Sequence, residues 1–565
     1  MKKVLAIILA LVMVIGLCAC GSKSGDTQKA EDNNTNSNEN SQNTATEEEN
    51  SITSTDVGEV TKKGDEADTS EGPVYGGDLR VVSTAEGATP IGVPWNVIGI
   101  DVNLCVPFGE SLVTEASDGT IGPWLAESWE VNIDEPSVTF KLRQGVKFTD
   151  GTDFNADVCA WTINHFVEAG SISPSVLGAE KVDDYTVKVN LKTWANTIMA
   201  TFASHSFSMI SKEAYEANGE EWAQENPVGT GPFVLSEYIH GQYIKFVKNE
   251  NYWQEGKPYL DSVTYVFMSD TMTQNSAMKV SGADGIDMLN TTNANQITTL
   301  MENDGLYMAT NSIGPVSLIP SSNDPDDPLS KFEVRQAISL AIDREALMAA
   351  RGFGIYTPAY QFVPEAWGCH LDSSHDLKFD VEQAKKLLTD AGYPNGFTTT
   401  FYVMPNMVDK DVMVAVQSML SAIGITVELE FPDSGGYSNY RYGGWTNGFL
   451  VQHTRSLASI GSTFGLYFDV SQDEETGEYS WTYMPSAWRP AEELYAAEQA
   501  AGATPEMDND LLEEVHAQVL DNLVCIPIYN LPDCFIMKNT VHDTGFAEWG
   551  AGTIWLPSEA WMSAN

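Results

Sequence analysis

The chain has 565 residues, and its 79 Asp and Glu against 30 Lys and Arg give a formal net charge of −49. Nucleic-acid binders are basic, so that class is disfavoured, as is electrostatic docking on anionic lipid headgroups. Acidity also serves solubility, and the length exceeds what one hydrophobic core usually holds, which predicts two or three lobes.

In chain order, Lys2 and Lys3 precede an apolar run from Val4 to Leu17. That run is short of the roughly 20 apolar residues of a membrane-spanning helix. It ends in Leu17-Cys18-Ala19-Cys20-Gly21. This resembles the bacterial lipoprotein signal, which implies removal of residues 1–19 and acylation of Cys20. The alternative is an ordinary secretory signal cut after small residues. Two acyl chains make a stable anchor. Residues 20–75 read as an acidic disordered tether. From 21 to 75 there are 13 acidic residues, 4 lysines and almost no large apolar side chains, too little apolar surface to offset the entropy of ordering.

The folded part alternates strands and helices, which predicts an α/β fold. Strands are expected over 77–82, 137–142 and 186–191, and a helix over 153–169. Asp380 is placed to cap a helix over 381–391, with Gln383 at the capping-box position and Gly392 at the stop. Val412, Met413, Val416, Met419, Leu420 and Ile423 form an apolar stripe leading into an alternating strand over 425–429. Cys105, Cys159, Cys369, Cys525 and Cys534 are scattered and odd in number, so no disulfide framework is legible. Cys525 and Cys534, in adjacent strand-like segments, are the candidate pair. No internal repeat is evident, and no later run is long enough to cross a membrane.

Four stretches form a recognisable set. They are Gly122-Pro123-Trp124-Leu125-Ala126-Glu127-Ser128-Trp129-Glu130 with Phe140 to Gly151; Pro227-Val228-Gly229-Thr230-Gly231-Pro232-Phe233 with Asn249-Glu250-Asn251-Tyr252-Trp253; Val334 to Glu345; and Ala384 to Pro394. Together, across roughly 76–540, they resemble the bacterial extracellular solute-binding proteins of family 5, the oligopeptide, dipeptide and nickel type. As scaffolding they make physical sense. The glycines of Gly229-Thr230-Gly231-Pro232 suit a tight turn at positive φ, and the Lys-Ser/Thr of a phosphate-binding loop is missing. Asp150 reads as a turn residue. Arg335 and Arg344, with Asp343, are expected at helix ends and in ion pairs.

The resemblance implies a two-lobed, type II (cluster C) periplasmic-binding-protein fold with an extra small domain and a hinge of two crossing segments. Lobe I would be 76–110, 221–310 and 524–565, the extra domain 111–220, and lobe II 311–523. It implies a monomer on the outer face of the cytoplasmic membrane, without a cofactor. The chain would hand a small solute to the permease and ATPase of an ABC transporter. No His-Glu-x-x-His, Gly-x-Ser-x-Gly or phosphate-loop motif is present, so nothing marks a hydrolase. A sensory surface lipoprotein reusing the fold is the other binding reading.

In this family the cleft is built from segments corresponding here to 83–95, 311–323 and 445–456. They nominate Glu86 for a cationic or hydroxyl group, with a solvated loop glutamate as the plain alternative. Trp95, Trp367 and Trp445 offer stacking faces, each with core packing as the alternative. Asn311, Asn447, Gln452, His453 and Arg455 are the polar candidates. Peptide-binding members typically carry a Trp-x-x-Asp-type motif in the last segment. This chain has no aspartate between Trp445 and Ser456, and a buried ammonium without a carboxylate is costly. A peptide stays favoured, with an oligosaccharide as the rival. Metal is a third class, because Cys369-His370 and His375 lie close together, although without a clean ligand spacing.

Overall fold

The computed structural model describes residues 60–62 and, with short gaps, 72–563. Cys20 and the expected signal lie outside the described residues, as do Trp367, Arg455 and the side chain of Asn311.

One sheet has twelve strands. In chain order these are β1 (Val60–Lys62), β2 (Asp78–Ser83), β3 (Phe233–Ile239), β4 (Tyr243–Lys248), β5 (Ser262–Phe267), β6 (Met288–Thr291), β7 (Leu306–Pro320), β8 (Thr357–Pro358), β9 (Thr398–Val403), β10 (Thr426–Glu430), β11 (Gly448–His453) and β12 (Ile526–Lys538). Their spatial order is β10-β9-β11-β7-β12-β6-β2-β5-β4-β3, with β1 on β7 and β8 on β12. β7 and β12 pair antiparallel along almost their whole length, and each belongs to both halves of the sheet.

Side chains alternate across a strand, so Leu289 and Val451 take the face opposite Met288 and Leu450. On the Leu289 face one core runs through both halves, including Met308, Leu318, Phe401 and Ile528. On the other face there are two separate cores. Leu79, Phe246, Tyr307 and Phe535 build one; Ile319, Trp445, Leu450 and Val524 belong to the second. A separate four-stranded antiparallel sheet spans residues 126–191, covered by the helix Ala156–Ala169. Its core also takes in Val93, Trp95 and Ala223, from both sides of the expected 111–220 module.

The strands over 137–142 and 186–191 fall where expected. The first helix starts at Ala156, because the Asn155 side chain, rather than Asp153, accepts from the first-turn amides of Asp157 and Val158. Asp380 caps Val381–Asp390 through the Gln383 amide, and the methionine-bearing stripe forms Lys410–Ser421.

Four expectations are corrected. Val60–Lys62, inside the expected tether, pairs with Tyr307, Met308 and Ala309 of β7. β11 reaches β7 only at Val316, so that edge of β7 is open to another strand. Gly229 and Gly231 do not have positive φ. A Cβ there would lie 2.0 Å from the Phe108 carbonyl oxygen and 2.6 Å from its carbon, so close backbone approach is what excludes a side chain. Arg335 makes no ion pair among the described residues; its guanidinium donates to the carbonyls of Leu329, Ser330 and Asn522. Arg344 likewise serves carbonyls.

The fourth concerns Cys525 and Cys534. They lie nine residues apart along one extended segment, roughly 30 Å, whereas a disulfide needs Cα atoms about 6 Å apart. All five described cysteines are buried and unpaired, and burial lifts the thiols of Cys369 and Cys534 to about 12. Alkylation of the unfolded chain without reductant is expected to label every one of the five. A mass lower by two hydrogens with two sites unlabelled would overturn this.

Candidate functional site

Strand direction locates the cleft. β2, β5 and β6 are parallel, and the last residue of β6, Thr291, sits beside Cys534 of β12. From the other half, β9 and β11 are parallel, and the last residue of β11, His453, sits beside Val316 of β7. The carboxyl ends from both halves therefore converge on 312–315 of β7 and 530–533 of β12. In open α/β sheets, ligands bind outside such carboxyl ends.

At this place the sheet narrows to two strands. β1 leaves β7 at Ala309 and β11 joins at Val316; β6 leaves β12 at Cys534 and β8 joins at Asn530. Pro315 and Pro532 sit at this narrowing, where the ladder is least continuous and proline is best tolerated, and the Pro315 carbonyl accepts from Thr454 N at 2.9 Å. β7 carries a bulge at Asn311, between Thr310 and Ser312. This is also where the two cores of the second face part.

The floor holds one buried carboxylate. Asn290 lies opposite Phe535 and so on the face with the split cores; its amide donates to Asp533 Oδ1 at 2.7 Å. On the other rim, Gln452 lies opposite Ser317, on the same face as Ile319 and Leu450. Gln452 Oε1 accepts from Tyr437 Oη at 3.0 Å and Arg441 Nη2 at 3.1 Å, both from the helix Ser434–Gly443.

The nominated residues separate. Gln452 lies at the converging strand ends, buried at 1% exposure. His453 lies opposite Val316, whose side chain belongs to the continuous core on the far face, so it points away. Asn311 is on the floor by its backbone. Glu86 follows β2 at the opposite rim but is tied outward. Its Oε1 meets His240 Nδ1 at 2.5 Å and its Oε2 accepts from Gly241 N at 2.7 Å. The His240 hydrogen bond holds its carboxyl below the usual range. Asn447 sits at positive φ in the turn entering β11, its carbonyl accepting from Thr400 N and Thr399 Oγ1. Trp95 is enclosed by Trp161, His165, Phe166 and Tyr215. Trp445 is buried and donates to the Gly448 carbonyl at 3.1 Å. Both indoles are core residues.

The Cys369-His370/His375 cluster has other work. His370 meets the Val363 carbonyl, His375 meets Asp521, and His516 bridges the Cys369 carbonyl and the Val363 amide. Asp150 is a turn residue, accepting from Thr152 and Ser211. Sequence reasoning missed Arg441 and Asp533. A lone acid inside the apolar β12 was a usable signal for Asp533; nothing local marked Arg441.

The profile described as bacterial extracellular solute-binding proteins, family 5, matches residues 120–469, more than half of the chain. The chain belongs to this family. Heme-binding protein A of Haemophilus influenzae is 33% identical to this family 5 chain over 317 residues, 50% of this chain and 56% of that protein. Glutathione-binding protein GsiB of Escherichia coli K12 is 33% identical over 320 residues, 55% of this chain and 61% of that protein. The chain thus matches about three fifths of these relatives' length. The oligopeptide-binding protein AppA of Bacillus subtilis, in complex with a nonapeptide, superposes with a TM-score of 0.69 at 22% identity, covering 87% of this chain and all of AppA. That likeness confirms the type II binding-protein fold for this member of the family. No described helix is long and apolar enough to cross a membrane.

Proposed function

We propose that this family 5 protein is a lipid-anchored solute-binding component of an ABC importer. It captures a peptide-like solute between its lobes and presents the closed form to the permease. The observation that carries this is the convergence of strand ends from both halves on a floor two strands wide. A solute there touches both halves only when they close. It therefore stabilises the closed state by its differential affinity. Residues 312–315 and 530–533 are the hinge, which moves the working boundary between lobes into β7 and β12. The anchor at Cys20, the monomeric state and the outer-face location belong to the same reading.

The oligosaccharide alternative leaned on indole faces for stacking. Trp95 and Trp445 are committed to cores, which favours the peptide-like solute.

Thermal unfolding of the full chain with defined di- to pentapeptides, against neutral oligosaccharides, tests the reading. A ligand at a hundred times its Kd stabilises by about 2.7 kcal/mol, so a peptide is expected to raise Tm by several degrees. A rise with sugars alone overturns the peptide assignment; no rise with either overturns capture in this cleft.

A further inference from the structure

We infer that Asn196 is a catch that holds the two halves of the protein closed, so that it sets how long a solute is kept without touching it; the inference rests on the hinge reading above.

The four-stranded module travels with the first half of the large sheet. Its core takes in Val93, Trp95 and Ala223, and its Trp124 shares the Glu110 carboxylate with Thr230 and Tyr252. The helix Ala491–Gly502 belongs to the second half. Its Leu494, Ala497 and Ala501 pack in the core of Ile319 and Leu450, on the face where the two cores part. Asn196 joins the two. It lies in the turn after the module strand Thr186–Leu191. Its main-chain N–H donates to the Gly502 carbonyl at 3.0 Å, and its Nδ2 donates to the Ala501 carbonyl at 2.9 Å.

The carbonyls of a last helical turn have no partner within the helix and carry the negative end of its dipole. Here Ala503 N closes onto the Ala500 carbonyl, and no basic residue stands in the last turn. The next two carbonyls are capped from the other half of the molecule, by a residue 305 positions away from Ala501. The surfaces also touch: a Cβ on Gly502 would lie 3.6 Å from the Ala195 Cβ. Bonds of this length are lost when the groups part by about an ångström. They stand outside the two-strand neck at 312–315 and 530–533, so turning at the neck separates them. Each bond shifts an equilibrium by about two- to tenfold. That shift favours the closed state whatever the solute, so it raises the affinity for every solute by one common factor.

The test uses the full-length chain, as wild type and as two variants. Asn196→Asp keeps the shape and turns a carboxylate toward the carbonyls. Gly502→Leu wedges the contact from the other half, at a position where leucine favours the helix. The probes are the di- to pentapeptides and neutral oligosaccharides above. Both variants are expected to raise koff about tenfold for each probe that binds, with kon unchanged and the factor the same from probe to probe. Hydrogen exchange gives a readout without solute. The residue 196 amide is expected to exchange about tenfold faster in Gly502→Leu, while Thr186–Leu191 stays as protected as in wild type. A factor that differs between probes overturns the inference, because Asn196 would then act on the solute itself. Unchanged koff in both variants overturns it too, as does unchanged exchange at residue 196. If no probe binds, the capture reading falls and the exchange rate alone decides the catch. Should Asn196→Asp fail to fold, Gly502→Leu decides it.

Discussion

Replacing Arg344 by alanine is expected to lower the unfolding free energy by about 4 kcal/mol, the upper range for single substitutions. Arg344 is among the largest fully buried side chains, at 1% exposure. Its Nε donates to the Pro527 carbonyl at 2.9 Å, Nη1 to those of Ser339 at 3.0 Å and Ile342 at 3.4 Å, and Nη2 to Ser339 Oγ at 3.0 Å. Tyr360 covers the guanidinium at 5.1 Å. Burial pulls the group down to about 10, so it stays charged at neutral pH. Ser339 lies near the end of the helix Phe332–Leu340, where carbonyls have no partner within the helix. Pro527 is on β12. One side chain thus closes a helix terminus and ties it to a crossing strand. Truncation leaves buried carbonyls without donors, about 1–3 kcal/mol each, and adds a cavity. Urea unfolding followed by circular dichroism measures the loss; a change below about 1 kcal/mol, the average for any point mutation, would refute this account. Arg344→Lys is expected to fall between the two, since an ammonium lacks the planar fork.

Glu110 is expected to make stability depend on pH in an unusual direction. Its carboxylate is enclosed: Oε1 accepts from Tyr252 Oη at 2.7 Å and Trp124 Nε1 at 3.0 Å, Oε2 accepts from Thr230 Oγ1 at 2.7 Å, and Trp253 Nε1 reaches both oxygens. Burial nonetheless pushes the carboxyl up to about 7, against the pull of those donors. The folded state therefore binds this proton more tightly than the unfolded state does. Its stabilising contribution is complete below the ordinary glutamate pKa and is lost as pH rises to about 7. Glu115 and Glu498 shift the same way, to about 7 and about 8, and His516 the opposite way, to about 3. Comparison with Glu110→Gln cancels those shared contributions. Between pH 4.5 and pH 7, wild type is expected to lose about 3 kcal/mol relative to Glu110→Gln, at 1.36 kcal/mol per pKa unit. A difference between the two proteins that stays constant over that window would show that the donors keep the carboxylate ionised throughout.

The Glu110 network also explains four of the motif residues. Trp124, Thr230, and Tyr252 with Trp253 are spread over 130 residues of chain, yet all donate to one carboxylate. Their recurrence as motifs pointed to a family and its fold; that they share an acid between the four-stranded module and the large sheet was visible only once the chain was folded.

Local elements were legible because their causes are local. The cap at Asp380, the alternation in 137–142 and 186–191, and the apolar stripe over 412–423 each depend on neighbours within a few residues. The same holds for the acidic balance, the class of fold, and the absence of catalytic motifs. The cleft depends on long-range pairing. Which face of the sheet Gln452 and His453 take is set by the register of β11 on β7, and a one-residue slip exchanges them. Trp95 and Trp445 carried no sign of which core would enclose them. Arg441 reaches Gln452 because the end of one helix meets the end of one strand. Composition, periodicity and motifs thus determined the family and the α/β class. Tertiary structure alone decided where the sheet narrows to two strands and which charges stand at that point, because both are set by strand order and register.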